Sequence, residues 1–372
     1  MRIGVPKEIK VHEYRVGLTP DSVREFTAHG HHVLVETQAG AGIGSSDDDY
    51  RAAGAEIAVM PATLFAQADM IVKVKEPQAV ERRMLRPNQI LFTYLHLAPD
   101  PDQTRDLVDS GAICIAYETV TDGHGGLPLL APMSQVAGRL SIQAGAAALE
   151  RAKGGRGILL GGVPGVAPAK VVVIGGGVVG ENAIYMALGM AADVTVLDRN
   201  VEVLARLARR FGAALKTVYS TKAALEDYVL QADLVVGGVL VAGAEAPKLV
   251  TRDMVRRMKR GSVLVDVAID QGGCFETSHP TTHAEPTYVV DGVVHYCVAN
   301  MPGAVPNTST YALNNVTLPY ALALADKGYK KALLENANFL EGLNVCGGKV
   351  TYKAVADDLG YEYVDPRAAL AG

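Results

Sequence analysis

The chain lacks tryptophan, and it has only four cysteines among 372 residues and a net charge of only −5. The cysteines are far apart and form no CxxC pair, which excludes a short disulfide framework and indicates reduced core thiols. With basic residues scattered and the net charge slightly negative, neither nucleic acid nor an anionic membrane is an expected partner. No apolar run reaches membrane-spanning length, and the start "MRIGVPKEIK" has no signal-peptide core. These absences predict a cytoplasmic protein.

The remaining composition is that of a globular chain, with 49% hydrophobic and 20% charged residues. A chain this long exceeds what one hydrophobic core usually organises, so two domains are expected. Apolar runs such as "HHVLVET", "DMIVKVKE", "ILFTYLH" and "AICIAYE" alternate with helical patterns, which predicts βαβ units. The long helix pattern "MSQVAGRLSIQAGAAALERAKGG" lies between two such series. We therefore predict an α/β fold class with two Rossmann-like doubly wound domains, mainly parallel sheets and long connecting helices.

Three local signals refine this prediction. The segment "SVLVDVAID" is expected to be a strand that ends at Asp270. "YVVDGVVHY" predicts a hairpin in which Asp291 and Gly292 form a type I′ turn. In the C-terminal helical stretch, Pro319 is expected to break or kink the helix.

A glycine motif carries the strongest functional signal. The strand pattern "KVVVIG" runs into Gly175-x-Gly177-x-x-Gly180, a helix pattern follows, and a second strand ends at Asp198. The three glycines suit a tight turn, close approach to a pyrophosphate, and close helix–strand packing. A helix N-terminus attracts phosphates, and an acidic strand end accepts hydrogen bonds from a ribose. The motif predicts a dinucleotide site; Asp198 favours NAD, although the adjacent Arg199 leaves NADP open.

Polar residues recur where predicted strands end. Lys75, His96 and Glu118 end three strands of the N-terminal half, Arg15 lies in the loop after the first strand, and Asp270 ends a later strand. Ligands of open α/β sheets bind beyond the carboxyl ends of the strands. Each residue alone is better explained as ordinary surface or strand-edge chemistry. Together, a guanidinium, an ammonium and an imidazole suit the binding and protonation of a small keto acid.

A metal site is not expected. His279 and His283 in "SHPTTHAEP" are spaced as a metal pair can be, but prolines flank them and no HExxH glutamate is present. We predict a loop here and no bound metal.

Seven segments, spread over the chain from residue 1 to about 370, resemble the alanine dehydrogenases: "MRIGVPKEIKVHEYRVGLTP", "VKVKEP", "LFTYLHLA", "AYETV", "LLAPMSQVAGRLS", "GGVPGVAPAKVVVIGGGVVG" and "VANMPGAVPNTST". The resemblance implies reversible oxidative deamination of L-alanine to pyruvate and ammonium with NAD. It also implies a homohexamer. The substrate domain would be discontinuous, formed by residues 1–128 and 307–372, with an NAD-binding Rossmann domain inserted at residues 129–306.

The resemblance also implies roles for single residues. Arg15 and Lys75 match substrate-carboxylate ligands, His96 an acid–base residue, and Asp270 a second catalytic carboxylate. The matches to cofactor contacts are Ser134, Gly175, Gly177, Val178, Val179, Gly180, Asp198, Ser220, Val239, Leu240, Val267, Ala268, Ile269, Asp270, Val298, Ala299, Asn300 and Met301. The chain departs from the family pattern at Val203 and His279, where a basic residue and an arginine are frequent, so neither position is assigned a cofactor contact.

Two other functions remain open from the residues alone. One is an NAD-binding subunit of a transhydrogenase, which would pass hydride to a partner protein. It would predict a membrane span or a partner, and it has no use for Arg15, Lys75 and His96 together. The other is a related dehydrogenase acting on lysine-derived or opine-like substrates, which would need a larger pocket.

Overall fold

The computed structural model describes residues 1–239 and 246–371. Within them the strands are β1 (Arg2–Val5), β2 (His32–Glu36), β3 (Glu56–Ala58), β4 (Met70–Val72), β5 (Ile90–Thr93), β6 (Ile113–Ala116), β7 (Lys170–Ile174), β8 (Asp193–Asp198), β9 (Leu215–Tyr219), β10 (Leu234–Gly237), β11 (Val263–Asp266), β12 (Thr287–Val290), β13 (Val293–Tyr296), β14 (Leu343–Cys346) and β15 (Lys349–Val350).

The helices alternate with these strands. They are α1 (Pro20–Ala28), α2 (Asp47–Ala52), α3 (Pro61–Gln67), α4 (Ala79–Arg82), α5 (Pro101–Ser110), α6 (Ala131–Ala148), α7 (Val178–Gly189), α8 (Val201–Phe211), α9 (Lys222–Gln231), α10 (Arg252–Arg257), α11 (Pro306–Lys327), α12 (Tyr329–Glu335), α13 (Ala337–Leu340), α14 (Lys353–Leu359) and α15 (Pro366–Ala371).

The chain divides into two compact units. The first unit comprises Met1–Met133 and Val305–Gly372, and the second comprises Ser134–Ala304. The first unit is therefore built from both ends of the chain. Helix α6 carries the chain from the first unit into the second, and α11 begins where the chain has returned.

The first unit contains an eight-stranded sheet in the order β15-β14-β6-β5-β4-β1-β2-β3. Strands β1 to β6 are all parallel, and β14 and β15 join antiparallel at one edge. The apolar runs "ILFT" of β5 and "ICIA" of β6 are buried throughout, as expected of parallel strands covered on both faces. The strand order reverses between β1 and β4, where open α/β sheets bind ligands.

The second unit contains a seven-stranded sheet in the order β12-β13-β11-β10-β7-β8-β9. Its strands are parallel except β12, which pairs antiparallel with β13. The strand order here reverses between β7 and β10. Asp291 and Gly292, between β12 and β13, have φ values of 51° and 83°, so the predicted type I′ hairpin is confirmed. The predicted α/β fold class, with two doubly wound and mainly parallel sheets, is also confirmed.

Some predicted element ends differ from the structure. Helix α11 runs for 22 residues through Pro319, so the predicted break is absent. Strands β4, β5 and β6 end at Val72, Thr93 and Ala116, two or three residues before the predicted ends at Lys75, His96 and Glu118. The strand in "SVLVDVAID" ends at Asp266, four residues before Asp270, because the Asp266 carboxylate accepts backbone N–H groups from the returning chain at Cys274 (2.9 Å) and Phe275 (3.3 Å).

Candidate functional site

The carboxyl ends of β4 and β5 bring Lys75 and His96 to the same carboxylate, that of Glu76. Oε2 of Glu76 lies 3.8 Å from Nζ of Lys75 and 3.7 Å from Nδ1 of His96. Oε1 pairs with the ammonium group of Lys10, in the loop after β1. Two of the predicted site residues are therefore neighbours, and Glu76 is the group between them.

The backbone at His96 is held in an uncommon conformation. Its φ is 50°, in the left-handed region that non-glycine residues seldom occupy. Glu118, in the 3₁₀ turn that follows β6, stabilises this turn by accepting the N–H groups of His96 (2.7 Å) and Leu95 (3.1 Å). The imidazole stacks on Tyr94 at 5.9 Å and is 42% exposed. Glu118 thus holds the backbone that presents an accessible imidazole.

Arg15 is buried in the same unit and is bound to Glu13. Its Nε and Nη2 donate to the two carboxylate oxygens of Glu13 at 2.7 and 2.6 Å, and Nη1 lies 3.1 Å from Sδ of Met133. Burial disfavours the charged form, but Glu13 outweighs it and raises the pKa of Arg15. Glu13 thus occupies the Nε/Nη2 edge of the guanidinium, and the role of Arg15 as a ligand of the substrate carboxylate stays a prediction.

A buried charge cluster underlies the backbone at Lys75. Lys73 is fully buried, and its Nζ donates to Glu8 (2.9 Å) and Glu81 (2.7 Å). The second oxygen of Glu8 accepts the N–H groups of Val74 (2.7 Å) and Lys75 (3.3 Å). Glu8 therefore joins the loop after β1 to the end of β4, across the point where the strand order reverses.

The glycine motif of the second unit has the local geometry that the sequence predicts. Gly175 has φ +95°, which permits the tight turn after β7. A Cβ on Gly180 would lie 1.8 Å from the carbonyl oxygen of Gly175, so only glycine allows this approach of helix and turn. A Cβ on Gly177 would have nothing within 4 Å, so open space lies beside the N-cap of α7. An open, glycine-lined helix N-terminus fits a pyrophosphate.

Asp198 ends β8, as predicted, and its carboxylate is tied into the motif. One oxygen accepts the N–H of Gly176 at 2.7 Å, and the other accepts the N–H of Asn200 at 2.8 Å. Each carboxylate oxygen can still accept another hydrogen bond. Val203, the departure from the family pattern, is in the next helix, where its side chain lies 2.7 Å from the Cβ position of Gly176.

The other cofactor candidates follow the carboxyl ends of neighbouring strands. Ser220 follows β9, and Val239 follows β10. Cγ2 of Val239 lies 3.0 Å from the position that a Cβ on Gly175 would occupy. Ser134 is half-buried near the start of α6. The remaining candidates are Val178 and Val179 in the first turn of α7, Val267, Ala268, Ile269 and Asp270 after β11, and Val298, Ala299, Asn300 and Met301 after β13. Leu240 lies outside the described residues.

Asp270 is exposed on a 3₁₀ turn after β11 and is not the strand end itself. The strand-end carboxylate is Asp266, which is fully buried and accepts the Ser278 hydroxyl at 2.6 Å. Burial raises the pKa of Asp266 against these hydrogen bonds. Asp270 is thus accessible to a ligand, whereas Asp266 is buried and hydrogen-bonded within the protein.

Sequence reasoning missed Glu76, Glu13 and the Lys73 cluster. For Glu76 a signal existed, because it directly follows Lys75 at the end of β4 and precedes a proline. For Glu13 a signal also existed, because it lies two residues before Arg15, close enough for its carboxylate to pair with the guanidinium. Lys73 gave no such signal, since a lysine between two valines has no local mark of burial.

Within the part of the chain that the structure describes there is neither a candidate metal site nor a candidate membrane-spanning helix. No group of three or more His, Cys, Asp or Glu residues in residues 1–239 and 246–371 could hold a metal ion. His279 and His283 lie in a loop, as predicted; the first stacks on Tyr288 at 3.7 Å. No helix among the described residues is long and apolar enough to cross a membrane.

Comparison with known families decides the relationship. The family description "Alanine dehydrogenase/PNT, N-terminal domain" matches residues 4–137, and "Alanine dehydrogenase/PNT, C-terminal domain" matches residues 141–353. The chain belongs to the alanine dehydrogenase/PNT family. Relatives named alanine dehydrogenase are 63% identical in Halomonas elongata, with all of both chains covered, and 56% identical in Bacillus subtilis, with all of this chain and 98% of the relative covered. The resemblance to this family, predicted from seven segments, is confirmed.

Solved structures agree with this membership. A structure of L-alanine dehydrogenase has a TM-score of 0.94 at 53% identity and covers 97% of this chain and 99% of its own. A transhydrogenase from Sinorhizobium meliloti has a TM-score of 0.82 at 24% identity, covering 95% and 100%, which is evidence of a shared fold only. For this alanine dehydrogenase family member, the family and the Rossmann-type fold imply a nicotinamide cofactor.

Proposed function

We propose that the protein is an NAD-dependent L-alanine dehydrogenase, which interconverts L-alanine with pyruvate and ammonium. The observation that carries the proposal is that Lys75 and His96 both lie beside the Glu76 carboxylate, at the carboxyl edge of the first sheet. It occurs in a chain that is 63% identical over its whole length to a named alanine dehydrogenase. A cation and an accessible imidazole are the two groups that a small amino acid and its keto acid require.

Lys75 and Arg15 are the proposed substrate-binding residues. The Lys75 side chain supplies a positive charge for the substrate carboxylate at the end of β4. With its Nε/Nη2 edge on Glu13, Arg15 would act through Nη1, or would have to exchange Glu13 for substrate. The buried Glu13–Arg15 pair would in either case keep the guanidinium charged and rigid.

The second unit supplies the residues that fit NAD. Gly175, Gly177 and Gly180 leave room for a pyrophosphate at the N-terminus of α7, and Asp198 would accept the adenosine ribose hydroxyls. The same carboxylate would repel a 2′-phosphate, which favours NAD over NADP. The cofactor, when bound, accepts a hydride from the substrate α-carbon in the direction of deamination.

His96 is the proposed acid–base residue. In deamination it would take a proton as water adds to the imino acid, and it would return a proton to the leaving amine as the carbinolamine collapses. Its 42% exposure and its anchoring through Glu118 suit a group that must stay in place and exchange protons with substrate. Asp270, exposed after β11, is proposed as the second catalytic carboxylate, which would orient water or the amine.

One assay separates this function from the two alternatives. NADH oxidation is expected with pyruvate plus ammonium, and it is expected to be far weaker with pyruvate plus lysine or with an oxidised nucleotide analogue as hydride acceptor. His96→Ala should abolish turnover while NADH binding, followed by fluorescence, survives. Absence of reaction with pyruvate plus ammonium would overturn the proposal, and a His96→Ala variant with most of its activity would overturn the role of His96.

The assembly and the cellular location are also proposed from the family resemblance. We infer a homohexamer that acts in the cytoplasm on small-molecule substrates. Sedimentation equilibrium would test the first inference, and a mass other than six chains would contradict it.

A further inference from the structure

The two oxygens of Glu76 have different surroundings. Oε1 is paired with the ammonium group of Lys10. Oε2 is a buried side-chain oxygen that has no hydrogen-bond partner among the described residues. Nδ1 of His96 at 3.7 Å and Nζ of Lys75 at 3.8 Å are both just beyond hydrogen-bond distance. Each of these distances exceeds an ordinary hydrogen-bond distance by less than 1 Å, so a charged, buried acceptor lies close to two donors.

A small rotation of the imidazole would bring Nδ1 within hydrogen-bond distance of Oε2. Glu118 holds the backbone of His96, and the imidazole stacks on Tyr94. The movement that remains open to His96 is therefore a rotation of its side chain, without a movement of the loop. The backbone N–H of Lys75 is held by Glu8, 3.3 Å away. Since a buried carboxylate oxygen is unfavourable without a donor, this rotation would be stabilising.

The carboxylate is ionised in this environment. Burial alone would raise the pKa of Glu76, but His96 and the ammonium groups of Lys75 and Lys10 outweigh it and hold the pKa of this carboxyl well below its usual range. The other two carboxylates facing these residues, Glu118 and Glu8, are engaged by backbone N–H groups. Glu76 is thus the acidic side chain whose oxygen is directed at the His96 ring.

We propose that Glu76 is the positioning residue for His96: its Oε2 accepts a hydrogen bond from Nδ1–H, and Nε2 is thereby left as the atom that exchanges protons with the substrate. This inference rests on the proposed function, and it specifies which ring nitrogen does the chemistry. A carboxylate on one nitrogen sets the tautomer and stabilises the imidazolium that forms when the other takes a proton.

The test compares Glu76→Gln and Glu76→Asp with the wild-type enzyme, through the pH dependence of kcat/KM for alanine deamination. The glutamine keeps the shape and removes the charge. It should lower kcat about 10- to 100-fold with a smaller change in KM, because the imidazolium loses its partner. It should also move the acid limb of the profile to lower pH, because a carboxylate 3.7 Å from Nδ1 favours the imidazolium and the neutral amide does not.

The aspartate variant keeps the charge but withdraws it by about one carbon–carbon bond, roughly 1.5 Å. It should be intermediate, with an acid limb that moves less than in the glutamine variant and a kcat that falls several-fold. The matched control is Glu335→Gln, an exposed glutamate of the same unit that pairs with Lys327 at 2.8 Å, which should behave as wild type. NADH binding and the melting temperature verify that each variant folds.

The outcomes separate the two proposals. A wild-type enzyme that does not deaminate alanine overturns the proposed function. An active wild type whose acid limb is the same in Glu76→Gln overturns the positioning role and leaves the function intact. If the glutamine variant does not fold, the aspartate variant decides: wild-type kcat and an unmoved acid limb in Glu76→Asp would also overturn the role.

Discussion

The buried ammonium of Lys73 is expected to be one of the most sensitive positions of the first unit. Its Nζ lies 2.9 Å from Oε2 of Glu8 and 2.7 Å from Oε1 of Glu81, and its side chain has no exposed surface. Lys73→Met keeps most of the apolar stem and removes the charge. Two buried carboxylates would then face each other without a cation.

The size of the effect follows from that loss. Removing one partner of a buried ion pair costs about 3–5 kcal/mol, because the remaining charge stays buried. For a unit of roughly 200 residues, each kcal/mol lowers the melting temperature by about 2–4 °C, so a decrease of about 6–20 °C is expected. The matched control is Lys353→Met, whose exposed pair with Asp357 (3.0 Å) contributes at most about 0.5 kcal/mol.

The pH dependence gives a second, independent readout. Burial raises the pKa of Glu8, although Lys73 acts against it. A carboxyl whose folded pKa is raised contributes stability below its unfolded pKa and loses it as pH rises through the folded value. Without Lys73 the folded pKa of Glu8 rises further, so the variant should be more destabilised near pH 8 than near pH 5.

Calorimetric melting of wild type, Lys73→Met and Lys353→Met at about pH 5 and about pH 8 measures both effects. The reasoning is refuted if Lys73→Met melts within about 2 °C of the control variant, or if its deficit is the same at both pH values.

Two further predictions concern the second unit. Gly180→Ala puts a Cβ 1.8 Å from the Gly175 carbonyl oxygen, so NADH affinity in a fluorescence titration should fall at least about tenfold, whereas Gly189→Ala, with nothing within 4 Å, should bind normally; equal affinities would contradict the packing role. Burial lowers the pKa of His295 to about 4, so the unfolded chain gains a proton first as pH falls, and about 3 kcal/mol of stability should be lost between about pH 6.5 and pH 4. His295→Gln should flatten that melting profile, and an unchanged slope would contradict the assignment.

The parts of the molecule that could be predicted from sequence depend on local chemistry. Gly175 adopts a positive φ, Gly180 has no room for a Cβ, and the turn at Asp291–Gly292 requires two positive φ values. Each of these requirements involves only residues that are close together in sequence. The parallel sheets were predictable for a related reason, since strands buried on both faces read as unbroken apolar runs. The fold class and the dinucleotide motif could therefore be predicted.

The predictions that were wrong involve contacts between distant parts of the chain. The apolar run that contains Asp266 has no local signal for its end. The strand ends there because a carboxylate in its last position binds backbone N–H groups eight and nine residues later. Likewise, Pro319 was expected to break or kink its helix on local grounds, yet α11 continues through it without a break. Since most helical stability comes from tertiary packing, one missing N–H is a small loss for a helix of 22 residues.

The charged residues of "VKVKEP" show why the site itself was only partly predictable. Lys73, Lys75 and Glu76 have similar local surroundings in sequence, yet one is buried in an ion cluster, one is a candidate substrate ligand, and one faces His96. Their partners Glu8, Lys10 and His96 come from the loops after β1 and β5, and only the strand order that puts β4 between β1 and β5 brings these loops together. A motif can therefore mark which residues have chemistry to perform, whereas the topology assigns each its partner. Because the assignment is made by topology, the partner of a strand-end histidine is best sought at the end of the neighbouring parallel strand, where Glu76 is found.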